Sequence, residues 1–369
     1  MLVPNTIRLR KGIDKMLWKK TLPVMILILL LASTLAGCQS ETKPSAQTRT
    51  IVDQMGKTVA IPARVNRIVV LPMPLPSIIY ALDGSGKKVV GMHPTARDAV
   101  EKSLLGDLAP ELKNVTTSFV KKEFTVNLEE LLKLQPDVVF QWDHQKEEIE
   151  KIEKAGIPVI AIHYGSQEDL EGWIKIIGEV LGKQERAAKI IAYHHQTIEY
   201  IKGKTANIPQ EKRPGVLYLY NEQLRTTGKG TYNHFWIETT GARNVAESIS
   251  GWGNVNMEQI LAWNPEIIYI SNFCELQPED IYKNKIKGQD WSQIAAVQNK
   301  RVYKIPLAGY RWDPPSVESP LMLKWLARLH HPDLFSNYSM IKELRDFYAS
   351  FYGYDLPQEK ATAIVRIGS

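Results

Sequence analysis

Residues 126–140 read VNLEELLKLQPDVVF, and residues 255–269 read VNMEQILAWNPEIIY. At an offset of 129 positions Val, Asn, Glu, Leu and Pro recur in register, and much of the rest exchanges one apolar or acidic residue for another. Asn127 is placed to cap a short helix, its side-chain oxygen satisfying an otherwise orphaned N–H of the first turn. Pro136 and Pro265 stop the helices, and the short apolar runs that follow are the kind that form strands buried on both faces. The same helix–turn–strand unit written twice predicts two similar lobes, one copy in each.

Around both copies strand and helix patterns alternate. In the first half RIVVL (67–71), KVVGM (88–92) and IPVIAI (157–162) read as strands, with helices from near Ser77 and over 149–155. In the second half GVLYLY (215–220), EIIYIS (266–271) and RVYKIP (301–306) read as strands, with a helix over 236–240 and an aromatic-rich helical section over 321–351. From Ser166 to Lys204 there is no Pro and no strand pattern; apolar residues fall at helical spacing, broken at Gly182-Lys183. The expected fold is α/β: two similar α/β sandwich lobes with central, mostly parallel sheets, joined by a long α-helix. The expected divisions are a signal peptide over 1–37, a flexible tether over 38–50, an N-terminal lobe over 51–168, connecting helices over 169–205 and a C-terminal lobe over 206–369.

The N-terminus reads as a targeting segment. A basic start is followed by a mostly apolar run over 22–36 that is short for a permanent span, and then by Leu35-Ala36-Gly37-Cys38. Six basic residues and one acid before Cys38 account for +5 of the formal +6 charge. The remainder is nearly neutral, so its charge gives no reason to expect nucleic acid. The chain has 2 Cys. With Cys38 in the leader motif, Cys274 has no intramolecular partner and reads as a small buried hydrophobe.

Taken in order, these pieces resemble the substrate-binding component of an ABC importer, of the helical-backbone class that serves ferric siderophores, haem, cobalamin and some oxyanions. The resemblance covers about residues 51–363. It rests on IVDQMGKTVAIPARVNRIVVL at the start, both copies of the doubled motif, TTGARNVAE (239–247) and ESPLMLKWLARLHHPDLF (318–335). It implies no enzymatic activity and no cofactor. It implies Cys38 as a lipidated residue holding the protein at the extracytoplasmic face of the cell membrane, and a monomer working with a permease dimer and its ATPase. It also implies a surface Glu on each lobe that docks onto the permease, here Glu129 and Glu258. The helix-dipole argument agrees with exposed carboxylates at these two helix starts.

In open α/β sheets ligands bind beyond the carboxyl ends of the strands, and between two lobes the cleft is the default site. Reading the residues there gives Trp142 and Tyr164 from the first half, and Tyr220, Arg225, Tyr232 and Trp252 from the second. GYRWDPP (309–315) adds Tyr310, Arg311 and Trp312, with Arg311 read as a planar fork for anionic groups and the rings as flat surface. No His-rich loop or zincin spacing appears, and His194-His195 read as solvated, so no directly bound metal is expected. The expected cargo is a metal chelate such as a ferric siderophore; cobalamin, haem and molybdate or tungstate are the alternatives. A secreted lipoprotein hydrolase is remote, because no Gly-x-Ser-x-Gly or His-Glu-x-x-His is present.

Overall fold

The computed structural model describes residues 47–366. The leader, Cys38 and most of the tether lie outside the described residues. The expected tether runs too far: Thr48–Val52 forms strand β1, paired antiparallel with β2 (Thr58–Pro62). The main N-terminal sheet holds β3 (Ile68–Val70), β4 (Val89–Met92), β5 (Val138–Trp142) and β6 (Val159–Ile162), all parallel, in the order β4-β3-β5-β6. Among the C-terminal strands β7 (Gly215–Leu219), β8 (Arg225–Thr227), β9 (Arg243–Asn244), β10 (Trp252–Asn254), β11 (Ile267–Ile270) and β12 (Val302–Lys304), four form a second parallel sheet, β12-β11-β7-β9. The pair β8 and β10 is antiparallel and stands apart.

The doubled motif does the same structural work twice. Asn127 caps the helix Leu128–Lys133 by accepting from the Glu130 N–H at 3.3 Å. Asn256 caps Met257–Trp263 from the Gln259 N–H at 2.9 Å, and the Gln259 side chain returns to the Asn256 N–H at 3.0 Å. Beyond each helix Gln135 (φ +44°) and Asn264 (φ +42°) take the left-handed turn that feeds the chain through Pro into a strand. Those strands, β5 and β11, are paired on both sides, so each copy supplies an interior strand of its sheet. Asn256→Ala is expected to cost about 1 kcal/mol in urea unfolding, and Asn127→Ala less, since its bond is longer and no side chain returns to it.

Alternation along the strands sorts the core. Ile68, Val70, Phe140 and Ile160 point into one continuous cluster that also takes Val216, Tyr218, Ile267 and Tyr269 from the other sheet. The opposite faces, with Val69, Val139 and Val159 or Leu217, Ile268 and Ile270, fill separate clusters, one per lobe. The shared cluster is continuous because the connecting helices Gln167–Leu181 and Gln184–Thr205 contribute Trp173, Ile177, Ile190 and Ile201, and the helices Ser319–His330 and Met340–Tyr352 contribute Trp325, Leu326 and Phe347. Lobes that share close-packed interior cannot separate widely without opening it.

His194 corrects the expectation of a solvated pair. It is buried, its ring nitrogens 3.2 Å from the Gln167 side chain and 3.1 Å from the Val317 carbonyl. Burial pushes its pKa down to about 4, so it is neutral at physiological pH. Its neighbour His195 is exposed and faces Glu171 at 2.8 Å. Cys274 is half-buried, and the thiol pKa is pushed up, chiefly by burial.

Candidate ligand-binding cavity

The carboxyl ends of both sheets converge on a cavity of about 300 Å³. Its N-terminal wall is Trp142, the last residue of β5, with Tyr164 two residues beyond β6 and Met73 and Pro74 beyond β3. Trp142 and Tyr164 meet edge to face at 5.6 Å, and Trp173 backs them; its indole N–H donates to the His163 carbonyl at 2.7 Å. The C-terminal wall is Tyr220, Trp252 and Phe273, with Tyr220 at 5.2 Å from Trp252 and 5.9 Å from Phe273. Arg225 is exposed and lies over the Trp252 and Tyr220 rings at 4.9 and 5.5 Å, which fixes both rings by cation–π attraction. Tyr310 closes one side.

Four expected ligand contacts do not line the cavity: Arg225, which only covers two of its wall rings, and three buried residues. Trp312 is fully buried, and its indole N–H donates to Glu318 at 2.9 Å. Tyr232 is buried with its hydroxyl on the Gln167 side chain at 3.1 Å, tying the C-terminal lobe to the connecting helix. Arg311 is buried and committed: it pairs with Asp98 at 2.9 Å, donates to the Asn272 carbonyl at 3.2 Å and lies over the Phe273 ring at 4.7 Å. Asp98 belongs to the N-terminal helix Pro94–Lys102, so Arg311 joins the lobes rather than lining the cavity. The adjoining Leu104 N–H to Ala308 carbonyl bond, 2.8 Å, does the same.

GYRWDPP is therefore held from behind by Glu318. Both its carboxylate oxygens are used: they accept from the Gly309 N–H at 3.0 Å, the Tyr310 N–H at 3.2 Å, the Trp312 indole and the Tyr348 hydroxyl. A Cβ at Gly309 would lie 2.6 Å from the Glu318 carboxylate, so only glycine fits there. Burial pushes the Glu318 pKa up, and the four donors oppose that shift.

The cavity also holds residues the sequence reading passed over: Tyr218, Phe124, Asn233, His144, Asp313 and Pro314. Tyr218 was within reach, because it lies two positions before Tyr220 on a strand and so shares its face. Asp313 is the chemically important one. It is buried, and one oxygen accepts from the Ser271 hydroxyl at 2.5 Å, the Tyr218 hydroxyl at 3.0 Å and the Asn272 N–H at 3.3 Å. The other oxygen has no partner among the described residues, and neither has the Tyr310 hydroxyl. Burial pushes the Asp313 pKa up, against the pull of its hydroxyl partners and Arg311. Among the described residues no Lys or Arg lines the cavity. Next in the chain to the lining residues Trp142 and Tyr164, Asp143 meets His163 at 2.6 Å and holds the imidazole pKa above its usual value. Among the described residues no group of three or more His, Cys, Asp or Glu is placed to hold a metal ion.

Two parallel-sheet lobes that share a core and enclose a cavity at their strand ends define a solute-binding architecture. Residues 76–307 match the periplasmic binding protein family, and the chain belongs to that family. A periplasmic solute binding protein from Veillonella parvula is 43% identical, with a TM-score of 0.80 over 86% of this chain and 97% of that one. The molybdate-binding protein MolA of Haemophilus influenzae is 29% identical over 82% of this chain and 91% of its own; its molybdate-bound structure superposes with a TM-score of 0.73. The iron(3+)-hydroxamate-binding protein FhuD of Bacillus subtilis is 24% identical over 82% of this chain and 96% of its own. The protein is thus the extracytoplasmic substrate-binding component of an ABC importer, not an enzyme.

Proposed function

We propose that the chain captures a ferric siderophore-type chelate in this cavity and hands it to the permease. The observation that carries the reading is the lining: facing aromatic walls, a buried carboxylate and, among the described residues, no Lys or Arg. Ring surfaces suit a bulky chelate with apolar and π-rich faces. A tetrahedral dianion would bring its charge toward the Asp313 carboxylate, and among the described residues no Lys or Arg lines the cavity to meet it. Molybdate is the second reading, supported by the similarity to MolA and by the tyrosine hydroxyls available as donors. Asp313→Asn separates the two by sign. Affinity for ferrioxamine B, a cationic ferric trihydroxamate, is expected to fall about tenfold, as an attraction worth about 1.4 kcal/mol is removed. If molybdate is the cargo, its affinity rises instead. Calorimetric titration of both probes against both proteins reads the outcome.

In the same reading Cys38 carries the lipid that tethers the protein to the membrane, and Glu129 and Glu258 dock onto the permease. Glu129 is exposed and pairs with Lys133 at 3.2 Å, whereas Ala262 takes the place of that lysine beside the exposed Glu258.

A further inference from the structure

Two side chains of the doubled motif have no task in the fold. Leu132 and Leu261 hold the same position in the two copies and are 46% and 42% exposed. Each follows its copy's Glu by three residues, so Glu129 and Leu132, like Glu258 and Leu261, stand side by side on the solvent face of their helices. The neighbouring Leu131 and Ile260 turn inward and are fully buried. The exposed leucines are therefore not strays from the core-facing stripe. Both patches are also close to the cavity: Phe124 and Trp252, which line it, precede Glu129 and Glu258 by five and six residues. An extended chain spans at most about 3.6 Å per residue, which puts the Cα atoms of both glutamates within about 22 Å of a residue that lines the cavity. A lone exposed leucine is ordinary on a protein surface. The same leucine beside the same carboxylate on both lobes is a repeated surface.

We infer that Glu129 with Leu132, and Glu258 with Leu261, form two equivalent contact points that seat this protein on the two-fold permease dimer, each leucine filling an apolar socket next to the cation that takes the glutamate. The inference rests on the docking reading above and adds the leucines to it. Two like points on two lobes fit a partner with two like sockets. A second copy of this chain would bring acidic patches together, and an anionic lipid surface would repel them. The division of labour follows from the chemistry: the carboxylates steer and are screened by salt, while the apolar contacts hold and are not.

The test uses the full chain and its permease–ATPase complex in nanodiscs, reading ATPase stimulation against binding-protein concentration. Leu132→Ser and Leu261→Ser each raise the half-maximal concentration about tenfold, and the double variant raises it further, by a similar factor at about 0.1 M and about 1 M salt. Thermal melting of the variants and their titration with ferrioxamine B stay as in the parent protein. An unchanged half-maximal concentration for the double leucine variant, with stimulation lost in Glu129→Lys/Glu258→Lys, overturns the inference and leaves the docking reading standing. Unchanged stimulation in both double variants overturns both. A dimer in light scattering that the leucine variant dissociates, or binding to phosphatidylserine vesicles that it abolishes, assigns the surface to a second copy or to the membrane and overturns the inference as well.

Discussion

Replacing Glu318 with alanine lowers the stability of the protein by about 4 kcal/mol, and the melting midpoint drops by roughly 10 °C. Four donors converge on this carboxylate in a site without water access: two backbone N–H groups, an indole and a phenol. Removing the acceptor orphans all of them at once, and the desolvation penalty of each is then uncompensated. Glutamine does not rescue it. Gly309 N–H and the Tyr348 hydroxyl meet one carboxylate oxygen, Tyr310 N–H and the Trp312 indole the other, so an amide NH₂ confronts donors whichever way it points. Glu318→Gln is expected to lose about half as much as alanine. Because Glu318 fixes residues 309–312, both variants also loosen the Tyr310 side of the cavity and weaken ligand affinity. Calorimetric melting with a parallel ligand titration checks both effects; a stable Glu318→Ala protein would show that the four contacts are replaceable.

If Glu129 and Glu258 dock onto the permease as proposed, reversing both, Glu129→Lys with Glu258→Lys, is expected to abolish uptake while leaving ligand affinity intact. Each substitution turns an attraction for a permease cation into a repulsion, a change of several kcal/mol across two sites and more than a hundredfold in productive encounter. Neither glutamate lines the cavity. The structural cost is small: at 129 a lysine faces Lys133 one turn on and at the wrong end of the helix dipole, each worth a few tenths of a kcal/mol. Transport in cells, beside a ligand titration of the purified variant, reads the two quantities separately. Uptake that survives the double reversal rules out docking through these residues.

The sequence carried the fold because its signals are local. A cap residue, a proline stop and an apolar run lie within fifteen positions, and their repetition announced two lobes. The cavity is legible where a large aromatic ends a strand, as at Trp142, or follows it within two residues, as at Tyr164. It was misread where a side chain's partner lies far away in the chain. Arg311 looked free to bind an anion, but Asp98, 213 positions earlier, already occupies it. Trp312 looked like a ring for the ligand, but Glu318 and, through it, Tyr348 bury it. His194 looked solvated because its helix is polar on average; its ring meets Val317, 123 positions on. Asp313 lay unremarked inside GYRWDPP, since nothing local tells a turn aspartate from one drawn under a cavity.

The most direct measurement is tryptophan-fluorescence titration of the purified protein with ferrioxamine B and, separately, with sodium molybdate, repeated on Trp142→Ala. Saturable, one-to-one quenching by the ferric chelate is expected, with an affinity at least tenfold weaker in the variant and no saturable response to molybdate. Saturable binding of molybdate with none of the chelate would contradict the chelate reading.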